Sequence, residues 1–425
     1  MKIRDVASAL ELKIESKQSL DMYNEMRAHY FDRYQTTFSQ SKPYQSPSID
    51  PTTDTQRSLN QSVAEHNVYQ RADYEPHRLE EQINSLFPVV GKKKPKTILF
   101  NSGMGAISCL LFFLQSVKKV KRILLGANSY YETKNFFKFG YGNYQLFNEY
   151  EVLNAEDYDV VWMEYPINCT LPENYPFQEP LPLKETVAKI STYAQANSQK
   201  EIYFVLDYTL SEIPFDVQLL GEKLPDNVSL FFVTSLQKHR QYGLDLVNLG
   251  AITLYSSGSA YEDITFFRGS LGVAPTQEAI WLMPELKPDL INRLIIDSGE
   301  NAKRIYKEIK DKLPSGIRAY YSLNSGFYCS FIFLMIDPAL IQKHTKKPYL
   351  SELLIKEIIN AAKECNTCLV HGTSFGFPFT RIFKNSERYE NTNALRVAIG
   401  YDDEMVKNNA EIFIKGMNAW NARYL

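Results

Sequence analysis

Short apolar runs that alternate with helical stretches, beginning near residue 96, constrain the possible folds of this chain more than any other feature. The runs fall at 97–100, 123–125, 160–163, 202–206, 230–233 and 249–255. They are rich in Val, Ile, Leu and Phe and show little apolar–polar alternation, as strands buried on both faces do. Strands separated by helices cross over into a mostly parallel sheet covered on both sides, an α/β architecture. Ligands bind such sheets at the carboxyl ends of the strands, so the residues just past each run are the ones to inspect.

Three segments follow from the pattern. Residues 1–75 read as a helix carrying Leu10, Ile14, Leu20, Met22 and Met26, then a polar stretch over 39–60 that is either mobile or wraps another surface. Residues 76–285 form the large α/β domain. Residues 286–425 form a smaller α+β domain, with an amphipathic helix over 291–313, a strand within 326–336, a helix over 349–364, strands at 369–370 and 395–400, and a terminal helix.

The 425 residues are 44% hydrophobic and 23% charged, which suits a globular enzyme-sized chain, and the net charge of −2 argues against a nucleic-acid partner. No apolar run approaches the ~18 residues that a membrane-spanning helix needs. The five cysteines are scattered and odd in number, and Met1-Lys2-Ile3-Arg4-Asp5-Val6 opens no long apolar stretch, so a reducing, cytoplasmic setting is expected. Cys365-Asn366-Thr367-Cys368 lacks a second ligand pair and the six histidines form no H-E-x-x-H, so no metal site is expected.

The strand ends carry the chemistry. The run at 230–233 continues as Thr234-Ser235-Leu236-Gln237-Lys238. An amine delivered to the end of a buried strand loses hydration, which lowers its pKa, and a neutral amine forms a Schiff base with an aldehyde. The plainer alternative is a solvated lysine on the surface. Asn101-Ser102-Gly103-Met104-Gly105 follows the first run and opens a helix, a cradle of free N–H groups for an anion. A dinucleotide fingerprint would need a third glycine where Ser108 stands and an acid about twenty residues on, so a phosphate fits here and NAD does not. Asp207 ends another buried run and needs a cation or several donors; a protonated heterocyclic nitrogen would serve, as would a helix cap or an ion pair. Tyr130, Thr133, Glu164 and Asn168 follow the second and third runs, and Arg396, in the last strand, suits a carboxylate.

Two motifs mislead. Ser235-Leu236-Gln237-Lys238 fits S-x-x-K without the accompanying S-D-N or K-T-G. Gly372-Thr373-Ser374-Phe375-Gly376 fits the G-x-S-x-G nucleophile elbow, but the last histidine, His371, precedes the serine.

Taken in order, seven segments resemble the Cys/Met-metabolism family of pyridoxal-phosphate enzymes, the cystathionine synthases and lyases and methionine γ-lyase. Tyr69-Gln70-Arg71 resembles the family's Tyr-x-Arg. Ser102-Gly103-Met104-Gly105-Ala106-Ile107 is similar to Ser-Gly-Met-Ala-Ala-Ile, and Tyr130-Tyr131-Glu132-Thr133 to Tyr-Gly-Gly-Thr. Glu164-Tyr165-Pro166-Ile167-Asn168 is similar to Glu-Thr-Pro-Ser-Asn, Asp207-Tyr208-Thr209 to Asp-Asn-Thr, Ser235 to Lys238 to Ser-x-Thr-Lys, and Leu395-Arg396-Val397-Ala398-Ile399-Gly400 to Leu-Arg-x-Ser-x-Gly. The likeness runs from about residue 66 to 420.

The resemblance implies a fold-type I, aspartate-aminotransferase-like enzyme that uses pyridoxal 5'-phosphate in β/γ-elimination or γ-replacement on an L-amino acid, with thiolate, activated oxygen or halide leaving. Lys238 would form the Schiff base and move protons, and Asp207 would pair with the ring nitrogen. Ser102, Gly103, Met104, Thr209, Ser235 and Gln237 would hold the cofactor, Gly103, Met104 and Ser235 at its phosphate. Tyr130 would stack on the ring and assist in catalysis, and Asn168 would bond the phenolic oxygen. Arg396 would hold the substrate α-carboxylate. Tyr69 and Arg71 would complete a neighbouring subunit's site, which makes a homodimer the minimum and a homotetramer the expected assembly. The chain departs from the family at Gln237, where threonine stands, at Cys169, where proline stands, and at Tyr131 and Glu132, where two small residues stand. Glu132 would there face the substrate side chain. An aminotransferase on the same fold, and a non-catalytic relative, are the alternatives.

Overall fold

The computed structural model describes residues 1–40, 77–89, 93–127, 129–140, 143–147, 157–165, 183–210, 224–256, 258–321, 328–343, 349–387 and 390–425. Seven strands build the large sheet: β1 (Lys96–Phe100), β2 (Ile123–Gly126), β3 (Tyr144–Phe147), β4 (Val160–Glu164), β5 (Ile202–Asp207), β6 (Val228–Ser235) and β7 (Gly250–Tyr255). Their order across the sheet is β3-β2-β4-β5-β6-β7-β1. The strands from β3 to β6 are mutually parallel, and β7 runs antiparallel to both β6 and β1. The six expected runs are all strands. The edge strand β3 escaped sequence reading because it is half exposed and carries no continuous apolar run.

Strand geometry sends alternate side chains to opposite faces, and both faces are apolar. Val160, Trp162, Tyr203, Val205, Phe231 and Val233 pack under the helices Gly103–Ser116, Tyr131–Gly140 and Ala260–Ser270. Val161, Met163, Phe204, Leu206, Leu230 and Phe232 meet the helix Leu183–Ala196 and the N-terminal helices on the other side.

The helix read from sequence near the N-terminus is two helices, and the polar stretch after residue 40 lies outside the described residues. The two helices are Ile3–Ala9 and Ser19–Gln40, with Leu10 and Ile14 in the connection. Glu11 takes a positive φ of 57°, which interrupts the first helix. Ile3, Val6, Met22, Tyr23 and Met26 are buried in the core of their own chain. Tyr23 donates to the Gly243 carbonyl at 3.1 Å and meets the Phe379 ring edge-on.

The second sheet has five strands, β8 (Ile317–Tyr321), β9 (Phe331–Ile336), β10 (Leu369–His371), β11 (Thr380–Glu387) and β12 (Glu390–Ala398), in the order β10-β11-β12-β9-β8. Helices Leu350–Glu364 and Asn409–Tyr424 share its core through Leu354, Ile358, Phe413 and Trp420. β8 and β11 were not foreseen: β11 mixes Arg381 and Lys384 with Ile382 and Phe383, and only its pairing with β12 and β10 makes it a strand. Helix Pro288–Ile309 joins the two units, giving Ile291, Leu294 and Ile295 to the large core and Ala302, Ile305 and Ile309 to the small one.

Candidate active site

A cavity of about 950 Å³ lies at the carboxyl ends of the parallel strands, and the small domain gives Thr373, Phe375, Phe383 and Arg396 to its wall. Its lining includes Ser102, Gly103, Met104, Tyr130, Glu132, Asp207, Thr209, Ser235, Gln237, Lys238 and Arg396, so one space brings together eleven of the residues singled out from sequence. Tyr69, Arg71 and Asn168 lie outside the described residues, as does Cys169.

Sheet register sets the floor. Glu164 and Asp207 are register partners at the ends of β4 and β5, and Asp207 stands level with Val233 of β6. Asp207 is buried; loss of hydration pushes its carboxyl upward, and two bonds from Thr209, N–H at 3.1 Å and hydroxyl at 2.7 Å, counter this in part. Among the described residues Asp207 makes no ion pair. The Thr209 oxygen also accepts from the Ser235 N–H at 3.0 Å, tying the end of β5 to the end of β6.

The anion cradle is built by close backbone approach. Ser102 caps helix Gly103–Ser116 by accepting from the Gly105 N–H at 2.9 Å. This leaves the N–H groups of Gly103 and Met104 without intrahelical acceptors. A Cβ on Gly103 would stand 3.1 Å from the Cβ of Ser235, and one on Gly250 would fall 2.5 Å from the Gly103 nitrogen. The start of β7 must therefore be glycine for the cradle to lie against the sheet. A phosphate fits this arrangement, with Ser235 beside the helix N-terminus.

Lys238 follows β6 by three residues and caps the short turn His239–Gln241. Its Nζ donates to Ser374 Oγ at 2.8 Å and lies 5.5 Å from the centre of the Phe375 ring. Gln237 does not stand free in the cavity: its amide donates to Asp245 at 2.5 Å.

Arg396 lies in the middle of β12, opposite Phe333 and Phe383. It donates to the Thr373 carbonyl and sits 5.0 Å over the Phe331 ring. Burial lowers its pKa, while Tyr130 and Glu164 favour its charge; a guanidinium stays charged in such a place. Tyr130 packs edge-on to Tyr131, and its phenol is pushed well above the ordinary range by burial and then by Glu132.

Among the neighbours that sequence reasoning missed are Thr373 and Phe375 in the cavity lining and Ser374 beside Lys238. The Gly372–Gly376 segment cannot be a nucleophile elbow. Folding puts it against Lys238 all the same, since Gly243, at φ 73°, lets the backbone of Gly376 and Phe377 approach closely. No local signal in the chain marks a contact across 136 residues.

Among the described residues no cluster of His, Cys, Asp and Glu is arranged to hold a metal, and no helix is long and apolar enough to cross a membrane.

A parallel sheet of this order, with a second sheet at its carboxyl edge, is the architecture of fold-type I pyridoxal-phosphate enzymes, and solved structures of that fold superpose on this chain. The apo methionine gamma lyase from Micromonospora echinospora matches with a TM-score of 0.59 and 16% identity over 81% of this chain and 86% of its own. A cystathionine gamma synthase from Xanthomonas oryzae pv. oryzae, solved with cystathionine, gives 0.59 and 15% over 85% and 91%. The metB protein from Corynebacterium glutamicum gives 0.60 and 16% over 91% and 97%. No protein-family model matches the chain, and no curated protein matches it.

Proposed function

We propose that this chain binds pyridoxal 5'-phosphate at Lys238 and acts on an L-amino acid that bears a side-chain leaving group, by elimination or by γ-replacement. The observation that carries this reading is the meeting, in one cavity, of a lysine amine, an anion cradle and a buried carboxylate without an ion pair among the described residues. The carboxylate is the most telling part. Its burial is costly unless a cation arrives, and a protonated ring nitrogen is such a cation.

When bound, the cofactor supplies an aldehyde for Lys238 and a ring that draws electrons from the substrate α-carbon. Asp207 keeps the ring nitrogen protonated. The N–H groups of Gly103 and Met104, with Ser102 and Ser235, hold the phosphate, while Thr209 fixes the positions of Asp207 and Ser235. Gln237 acts through Asp245, steadying the segment before the lysine. Lys238 would hold the cofactor through its amine, and the same amine would take the substrate α-hydrogen as a proton. Tyr130 would stack on the ring face and assist the proton movements at the departing group. Arg396 fixes the α-carboxylate with parallel bonds. Asn168 at the phenolic oxygen, and Tyr69 and Arg71 from a neighbouring copy in a homodimer or homotetramer, complete the proposal.

Borohydride reduction followed by peptide mapping tests the first step: the expected result is a cofactor adduct on Lys238, and its absence overturns the reading. A screen of amino acids with β- or γ-leaving groups tests the second. Oxo acid with ammonia marks elimination, and a new side-chain product without ammonia marks replacement. Conversion that consumes an oxo acid and frees no ammonia would instead make the chain an aminotransferase.

A further inference from the structure

Glu132 stands on the first turn of helix Tyr131–Gly140 and faces the cavity. An acid at a helix N-terminus is ordinary when it points to water, where the helix dipole stabilises it. This one lines the cavity. The Tyr131 hydroxyl donates to its Oε1 at 3.0 Å, and Tyr130 packs edge-on against Tyr131. Among the described residues it forms no ion pair. The nearby Lys134 is turned to the Ala127 carbonyl, 3.0 Å away. The cavity's cations have other contacts, Lys238 at Ser374 and Arg396 at the Thr373 carbonyl.

The other two acids of the cavity belong to its floor. Asp207 and Glu164 end adjacent strands, and Glu164 bears on Arg396. Glu132 is on the side wall, next to Tyr130 and Tyr131. A substrate held by Arg396 at its α-carboxylate has room to extend its side chain toward this wall.

A carboxylate on the cavity wall, bonded by a tyrosine hydroxyl and without an ion pair among the described residues, complements a cation brought to it. We propose that Glu132 selects L-amino acids whose side chain ends in a cationic amine. A neutral side chain leaves the carboxylate unpaired and an acidic one is repelled, so the same residue attracts one class and rejects the other. The inference rests on the amino-acid reading of the cavity given above and names its substrate class.

The test is equilibrium binding of L-ornithine and of its neutral isostere L-norleucine to the purified protein, by calorimetry. Native protein is expected to bind L-ornithine about tenfold tighter or more. Glu132→Gln is expected to bring the ratio to within about twofold, and Glu132→Asp, which keeps the charge on a shorter stem, to restore part of it. Equal affinities in the native protein, or binding of neither ligand, overturn the proposal whatever the variants do. So does a preference that survives in Glu132→Gln. The two readings fail separately: a Lys238 adduct without L-ornithine preference sinks the selectivity alone, and L-ornithine preference without an adduct sinks the cofactor alone.

Discussion

The two walls of the cavity are built by different means. The large-domain wall is regular backbone: Asp207 and Glu164 are level because β4 and β5 are in register, and the anion cradle is a helix N-terminus pressed against glycine at the start of β7. The small-domain wall hangs on one arginine in mid-strand and on the irregular stretch that carries Thr373, Ser374 and Phe375. Ladder hydrogen bonds hold the first wall, with glycine required at the start of β7 by close backbone approach. The second wall is held by contacts between units, at Gly243 against Gly376 and at Lys238 against Ser374. The regular wall suits a fixed ligand, and the irregular wall and the Tyr130–Glu132 corner suit a ligand that varies.

The division can be broken by substitution. The largest effect is expected for Lys238→Ala, which should lower turnover by about 10³-fold or more and remove the borohydride adduct; near-native activity would end the lysine's role. Asp207→Asn should lower turnover by about a hundredfold, as loss of a preorganised electrostatic partner does. Its effect on stability runs the other way. Burial raises the folded carboxyl above 3.8, so its contribution is complete below that pH and is lost as pH rises through the folded value. Stripped of ligand, Asp207→Asn should therefore melt above the native protein near about pH 7, and the gap should close on acidification. Melting curves across that range check it, and a gap that widens toward acid would contradict the buried-carboxylate argument.

On the other wall, Arg396→Lys should raise KM by about 10- to 100-fold through loss of the paired bonds, with kcat less affected. A kcat loss equal to that of Lys238→Ala would erase the distinction between the walls. Ser374→Ala removes the acceptor 2.8 Å from Lys238 and should cost about three- to tenfold in kcat/KM. No change in steady-state rates would show that the small domain merely covers the lysine.

The regular wall was legible in the chain because each of its elements is local. An apolar run, a Gly-Met-Gly helix start and a residue one or three places beyond a strand are all patterns within a few positions. The half-exposed edge strand β3 and the mixed-polarity strand β11 were not legible, since neighbours rather than composition make them strands. The N-terminal helix was legible as a helix, but its break at Glu11 and its burial against the large domain were not.

Sequence alone determined that this chain forms a doubly covered parallel sheet and that Lys238, Asp207 and the Ser102–Met104 turn lie at its carboxyl edge, because side-chain periodicity and strand polarity are properties of a linear pattern. Only the tertiary structure decided that Ser374 meets the lysine and that Glu132 faces the cavity with no ion pair among the described residues. Those contacts join segments whose separation, or whose side-chain direction, is set by packing between units and is not written in any local run.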